Sequence, residues 1–165
     1  MNKQELQNEI TKTKEHLANM ERMLAECEHE RWRPKEREPY FFFTSYGAIE
    51  TTTFNNKNEG DILRYNFYNC FQTQEQAEAE AEKILVRRML EAIARRLNKG
   101  EKIDWKGAYQ DKYYIYLETE TDELIYGESI WSKDQGTVYC LDQDFLDVAI
   151  QEIGEVKLKR YLRDE

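Results

Sequence analysis

The stretch TQEQAEAEAEKILVRRMLEAIARRL, residues Thr73–Leu97, decides how the rest of the chain is read. Thr73 followed by Gln76 is a capping-box pattern, in which each side chain satisfies a backbone N–H that the first helical turn leaves open. Glu75 and Glu78 lie where the helix dipole favours negative charge, and Arg95, Arg96 and Lys99 lie where it favours positive charge. Gly100 is suited to end the helix. Ala77, Ala81, Ile84, Val86, Met89, Leu90, Ile93 and Leu97 supply a broad apolar face. The pattern predicts a long helix that must pack on something, and aromatic-rich segments stand on both sides of it.

Upstream, YFFFTSY (residues 40–46) and AIETTTF (48–54) predict two strands, with Gly47 between them as a hairpin turn. NNKNEGD (55–61) reads as a loop. ILRYNFYNCF (62–71) is aromatic and partly alternating, and is expected as a third strand or an irregular segment that plugs the core. Downstream, residues 101–111 read as a loop. KYYIYLE (112–118), ELIYGESIW (123–131) and TVYCL (137–141) read as strands joined by turns at 119–122 and 132–136. Asp142 is expected to cap a helix running to Ile153, ended by Gly154, and Val156–Leu162 a final short helix.

The two halves resemble each other as β-β-(β)-α units, Thr73 aligning with Asp142, Gln74 with Gln143 and Glu75 with Asp144. An internal duplication accounts for this, and so does the general likeness of any strand that feeds a capped helix. The expected fold class is α+β: a long N-terminal, coiled-coil-like helix followed by two small antiparallel β-β-(β)-α units.

That first helix is expected over residues 2–31. Leu6, Ile10, Thr13, Leu17, Met20, Leu24 and Cys27 follow a heptad seam, weakened by the polar Thr13 and the small Cys27. A lone helix cannot bury such a seam, so it must pair with a second copy, fold back on Thr73–Leu97, or dock on a partner. Pro34 stops it, and RWRPKEREP (31–39) reads as a charged hinge with Trp32 as an anchor. The expected organisation is a helix at 1–31, a linker at 32–39 and an α+β domain at 40–165, divided into units 40–100 and 101–165.

The net charge is −9, and residues 103–165, with 7 basic and 15 acidic side chains, carry nearly all of it. This argues against a general binder of nucleic acid or anionic membrane, and is compatible with a basic partner or with plain solubility. Three cysteines without regular spacing make no disulfide framework. With no apolar run of spanning length, the expected setting is reduced and cytoplasmic.

No constellation of residues points to catalysis. His16 and His29 lack metal-ligand spacing with Cys27, the glycines form no phosphate loop, and no cofactor or metal is expected. Cys70 and Cys140 precede the two capped helices in apolar runs and read as buried packing. Two acidic clusters, Glu118, Glu120, Asp122 and Glu123, and Asp142, Asp144 and Asp147, read as solvated turn and helix-start positions; on one face they would form a rigid negative surface for a partner. Arg88, Arg95 and Lys99 share one face of the long helix, and Arg31 and Arg33 flank Trp32. Arginine interleaved with aromatics is a single-strand-binding pattern, diluted here by nearby glutamates.

WRPKEREPYFF (Trp32–Phe42), NFYNCFQTQEQAE (Asn66–Glu78) and AIQEIGEVKLKRYL (Ala149–Leu162) resemble a group of small phage and prophage proteins of Gram-positive bacteria. In that group a heptad-rich helix precedes a W-x-P linker and an aromatic strand pair. The resemblance covers residues 32–97 and about 148–162, and its motifs carry no chemistry. It implies the class of small acidic phage accessory proteins, often inhibitors that bind a host defence protein or ribonucleoprotein such as a CRISPR–Cas nuclease. That association is by class alone. The resulting expectation is a non-catalytic interaction protein, with a nucleic-acid-binding accessory factor as the alternative.

Overall fold

A computed structural model of the chain describes residues 7, 12–14, 17, 20, 31–107 and 109–163. Gln7, Lys12, Thr13, Lys14, Leu17 and Met20 are helical with exposed side chains. Leu6, Ile10, Leu24, Cys27, His16 and His29 lie outside the described residues. The N-terminal helix is thus not supported as one continuous element.

The other elements run β1 (Pro39–Phe43), β2 (Ile49–Thr53), α1 (Glu59–Asn66), α2 (Gln74–Leu97), β3 (Lys112–Glu118), β4 (Glu123–Ser129), α3 (Phe145–Ile153) and α4 (Glu155–Arg163). The order ββαα therefore occurs twice. The strands form two separate antiparallel pairs, β1–β2 and β3–β4. Contacts divide the chain into two compact units, Met1–Tyr40 with Thr51–Gln72, and Phe41–Glu50 with Thr73–Glu165.

In the first unit, residues 31–38 are pinned to the chain that follows rather than extended as a linker. Arg37 N donates to Phe54 O at 2.8 Å, Phe54 N donates to Glu38 O at 2.9 Å, and Pro34 is buried. Of residues 62–71, expected as a third strand or an irregular segment, 62–66 belong instead to α1. Asn58, read as loop, caps it by accepting from Asp61 N at 3.1 Å, and Glu59 and Asp61 sit at the positive end of the dipole. The aromatic run that imitates a strand lies at the end of this helix and beyond it, with Phe67 and Tyr68 exposed.

The second unit holds the main core. The helix α2 has the expected capping box: Thr73 accepts from Gln76 N and Gln76 Oε1 accepts from Thr73 N, both at 3.3 Å. Its Val86, Leu90, Ile93 and Ala94 join Ile115, Cys140, Phe145, Ala149, Ile153 and Leu158 in one buried cluster. The α2 chain stops as expected before Gly100, with Lys99 and Gly100 both left-handed. Asn98 then ties the helix end to the next layer, its Oδ1 accepting from Leu141 N at 2.8 Å and from Cys140 Sγ at 3.2 Å.

The expected third strand at 137–141 reduces to one bridge, Tyr113 with Cys140, closed by two backbone hydrogen bonds of 2.7 and 2.8 Å. The helix expected from Asp142 begins at Phe145 instead. Asp142 Oδ1 accepts from Asp144 N at 3.0 Å, folding the chain into a turn before the helix can start.

The β3–β4 face turned from the helices is covered by aromatic rings. Tyr139 packs on Trp105 at 4.9 Å and on Tyr114 at 5.4 Å. Lys112 is fully buried beneath them. Its ammonium donates to Gln110 O at 2.6 Å and Ile130 O at 2.9 Å and faces the Trp105 ring at 5.4 Å. Gly127 lies opposite Tyr114 in the register, and a Cβ there would stand 2.4 Å from Tyr114 Cζ. Gly127→Ala is therefore expected to push the Tyr114 ring out of its packing and cost about 1–3 kcal/mol. Urea unfolding of the variant checks this, and an unchanged midpoint would show that the ring shifts without cost.

Candidate interaction site

The fold separates the two acidic clusters. Tyr113 at the open end of the β3–β4 hairpin bridges to Cys140, which places Asp142 beside that end. Glu118 and Glu123 pair directly at the other end, next to the turn. Five residue steps along β3 separate Tyr113 from Glu118, about 17 Å. The two clusters, which on one face would have formed a single surface, therefore form two rims.

At the turn end, Asp122 has a left-handed backbone and its carboxylate meets Arg163 and Lys159 of α4. The hydrogen bond from Arg163 holds the Asp122 pKa below the usual carboxylate value. Glu118, Glu120 and Glu123 have no cation partner, and the Glu118–Glu123 pair sets like charges opposite each other across the strands, an unfavourable arrangement.

At the open end the fold adds carboxylates that the sequence reading missed. Glu128 stands directly opposite Tyr113, and Asp111 lies two residues before it. Burial raises the Tyr113 phenol pKa, and the charges of Glu128, Asp111 and Asp142 raise it further, so all three bear on one ring. None of the three has a cation partner among the described residues. The alternation along β4 was the available signal for Glu128, because it shares a face with Tyr126, which is half exposed and packs edge-on to Tyr113 at 6.0 Å. Asp111, just ahead of the strand, offered no such signal. Asp144 and Asp147 sit in the first turn of α3, where the dipole favours them.

The basic side chains of the same third are mostly engaged elsewhere. Lys157 and Arg160 pair with Glu82, Lys159 with Glu155 and Asp122, and Arg163 with Asp122. Lys112 is buried on carbonyls. The open end of the hairpin is thus a negative surface edged with tyrosine.

The expected basic residues also separate. Arg31 and Arg33 belong to the first unit. Arg31 lies between the rings of Tyr65 and Tyr68, at 4.0 and 3.9 Å, and donates to Tyr65 O. Arg33 faces Phe54 and Tyr65. Both are stacked on rings of their own unit, where a base would otherwise stack. Arg88 and Arg95 stay exposed on α2, but Lys99, expected on the same face, lies beyond the helix end, where its left-handed backbone takes it off the helical stripe; Arg95 Nε donates to Glu91 O at 3.2 Å, while Arg88 and Lys99 have no side-chain partner among the described residues.

Cys70 and Cys140 are free and buried. Burial pushes the Cys70 thiol up to about 11 and raises that of Cys140, so neither is a ready nucleophile. Among the described residues no group of three or more His, Cys, Asp or Glu side chains is arranged to hold a metal ion, and no helix is long and apolar enough to cross a membrane. Comparison with protein-family models, with curated proteins and with solved structures returns no match.

Proposed function

We propose that the chain is a non-catalytic interaction protein, of the phage-encoded class that binds and blocks a host defence effector in the bacterial cytoplasm. The acidic end of the β3–β4 hairpin is its contact with a basic, nucleic-acid-binding channel. The observation that carries this reading is that strand register and the Tyr113–Cys140 bridge bring Asp111, Glu128 and Asp142 around Tyr113, with no cation partner among the described residues. Carboxylates held on a hairpin and a helix start are preorganised for such a channel, because their positions need no ordering on binding. The N-terminal segment, through Leu6, Ile10, Leu17, Met20 and Leu24, serves as a dimer or partner helix. The exposed helical positions Leu17 and Met20 support that role. Sedimentation of chains with and without residues 1–31 tests it, and an unchanged mass ratio to the monomer would exclude the dimer.

The functional test is competition between the chain and a labelled DNA strand for a CRISPR–Cas nuclease. Joint replacement of Asp111, Glu128 and Asp142 by lysine is expected to weaken competition at least about tenfold, that is about 1.4 kcal/mol or more. Competition undiminished by the triple replacement would sink the acidic-surface reading.

A further inference from the structure

The long helix carries a second surface that the acidic rim does not use. Its core face is turned to the helices α3 and α4. The opposite stripe, at 3.6-residue spacing, runs Ala81, Leu85, Arg88, Ala92 and Arg95. Beside its first half stands the β1–β2 turn, bent through Gly47 at φ 87°, which a side chain rarely tolerates. Phe43, Tyr46 and Ile49 from the turn and Ile84 and Leu85 from α2 line a groove of 460 Å³. Such a volume falls within the span of ligand sites, about 300–1,000 Å³.

The charges along the groove are unequal. Glu82 is neutralised by Lys157 and Arg160, the latter at 2.6 Å. Glu78 accepts from Gln74 Nε2 at 2.7 Å. Arg88, at the opposite end, has no partner among the described residues. From Glu78 to Arg88 is ten residues, about 15 Å along the helix, and from Arg88 to Arg95 is seven, about 10 Å more. The surface is therefore a track about 25 Å long, apolar at first and cationic afterwards.

We propose that this track docks an extended segment of a partner protein whose apolar side chains are followed by carboxylates. The apolar side chains lie on Ile49, Ile84 and Leu85, and successive carboxylates meet Arg88 and Arg95. The length exceeds what a small molecule spans. A nucleic acid would set phosphates beside Glu78 and leave the apolar half unused, so the charge pattern favours a protein segment.

The probe is a labelled peptide, Leu-Ser-Leu-Ser-Glu-Ser-Ser-Ser-Glu, whose leucines and glutamates share one face of an extended chain, the glutamates four residues or about 13 Å apart, within reach of two long arginine side chains about 10 Å apart. Its binding to the full chain is measured by anisotropy at low salt, where exposed charges are least screened. Arg88→Glu is expected to weaken binding about tenfold and Leu85→Ser several-fold, and a peptide with glutamine for each glutamate is expected to lose at least as much as Arg88→Glu. Both replaced residues are exposed, so the thermal midpoint should stay in place and confirm that the variants fold. Equal affinity for Arg88→Glu and the parent chain would overturn the proposal, as would no binding up to about 1 mM. Tighter binding of an oligothymidine of the same length would reassign the stripe to phosphate. A dimer that Arg88→Glu dissolves would assign the track to a second copy of the chain.

Discussion

Replacing Phe145 by alanine is expected to lower the unfolding free energy by about 3–5 kcal/mol, with a fall in Tm of roughly 10 °C. Phe145 opens α3, is 1% exposed, and stands in the cluster that joins α2, β3, α3 and α4. One side of the ring already borders a small void of 80 Å³, also lined by Leu90, Ile115, Val138, Tyr161 and Leu162. Truncation would extend that void rather than let the walls close. Cavity volume left open costs about 24 cal/mol per Å³ beyond the lost transfer energy. Phe145→Leu keeps most of the volume and should cost about 1 kcal/mol. Urea unfolding of both variants measures the difference. A cost below about 1 kcal/mol for Phe145→Ala would mean that α3 collapses onto β3 and that the cluster is less constrained than its burial indicates.

The elements that could be read from residues alone are those whose ends carry independent signals. In α2 the capping box, the charged ends, the apolar stripe and the stop before Gly100 are all local, and all appear in the fold. The β3–β4 hairpin was as legible, because turn residues interrupt two alternating runs. The helix α1 was not, since of its aromatic run only Tyr65 lies within it, while Phe67 and Tyr68 stand exposed at and beyond its end. Its one clear local signal was Asn58 ahead of Asp61, which was read as loop. Residues 137–141 have strand composition, yet only Cys140 finds a pairing partner.

The acidic surface proposed as the contact was legible in sign but not in shape. Net charge located the negative third, but sequence proximity grouped carboxylates that the fold separates. Asp122, counted with the turn cluster, is neutralised by α4, whereas Glu128 and Asp111 join Asp142 only through strand register and the Tyr113–Cys140 bridge. Lys112 shows the same limit in reverse. A lysine at a strand start reads as solvated, and only the loop carrying Trp105 and the carbonyls of Gln110 and Ile130 make burial tolerable.

Asp61→Ala is the second large effect expected, about 2–4 kcal/mol, and it arises from polar rather than apolar groups. Asp61 is buried in the first unit and satisfies three donors. Its Oδ1 accepts from the Tyr40 hydroxyl at 2.7 Å and from Arg64 at 3.0 Å, and its Oδ2 accepts from Asn55 N at 2.9 Å. Arg64 also donates to the Tyr40 oxygen at 3.1 Å. Removing the carboxylate leaves a fully buried hydroxyl and a backbone N–H without their acceptor, which costs more than the bonds themselves contribute. Asp61→Asn keeps the shape but only one acceptor oxygen, its amide NH2 facing a donor at the other position, and should cost about 1–3 kcal/mol. The same network sets an alkaline limit. Burial first, and then the hydrogen bond to Asp61, push the Tyr40 phenol from 10.0 up to about 12. Between these values the unfolded chain has lost the phenolic proton while the folded chain keeps it. Stability therefore falls as pH rises through that window, by up to about 1.4 kcal/mol per unit, and this group leaves it unchanged below the window. Tyr40→Phe removes the titrating group, so its urea midpoint should fall less between about pH 9 and pH 11 than that of the parent chain. Equal slopes in the two proteins would show that Tyr40 ionises without opposing the fold, and that Asp61 is held by Arg64 alone.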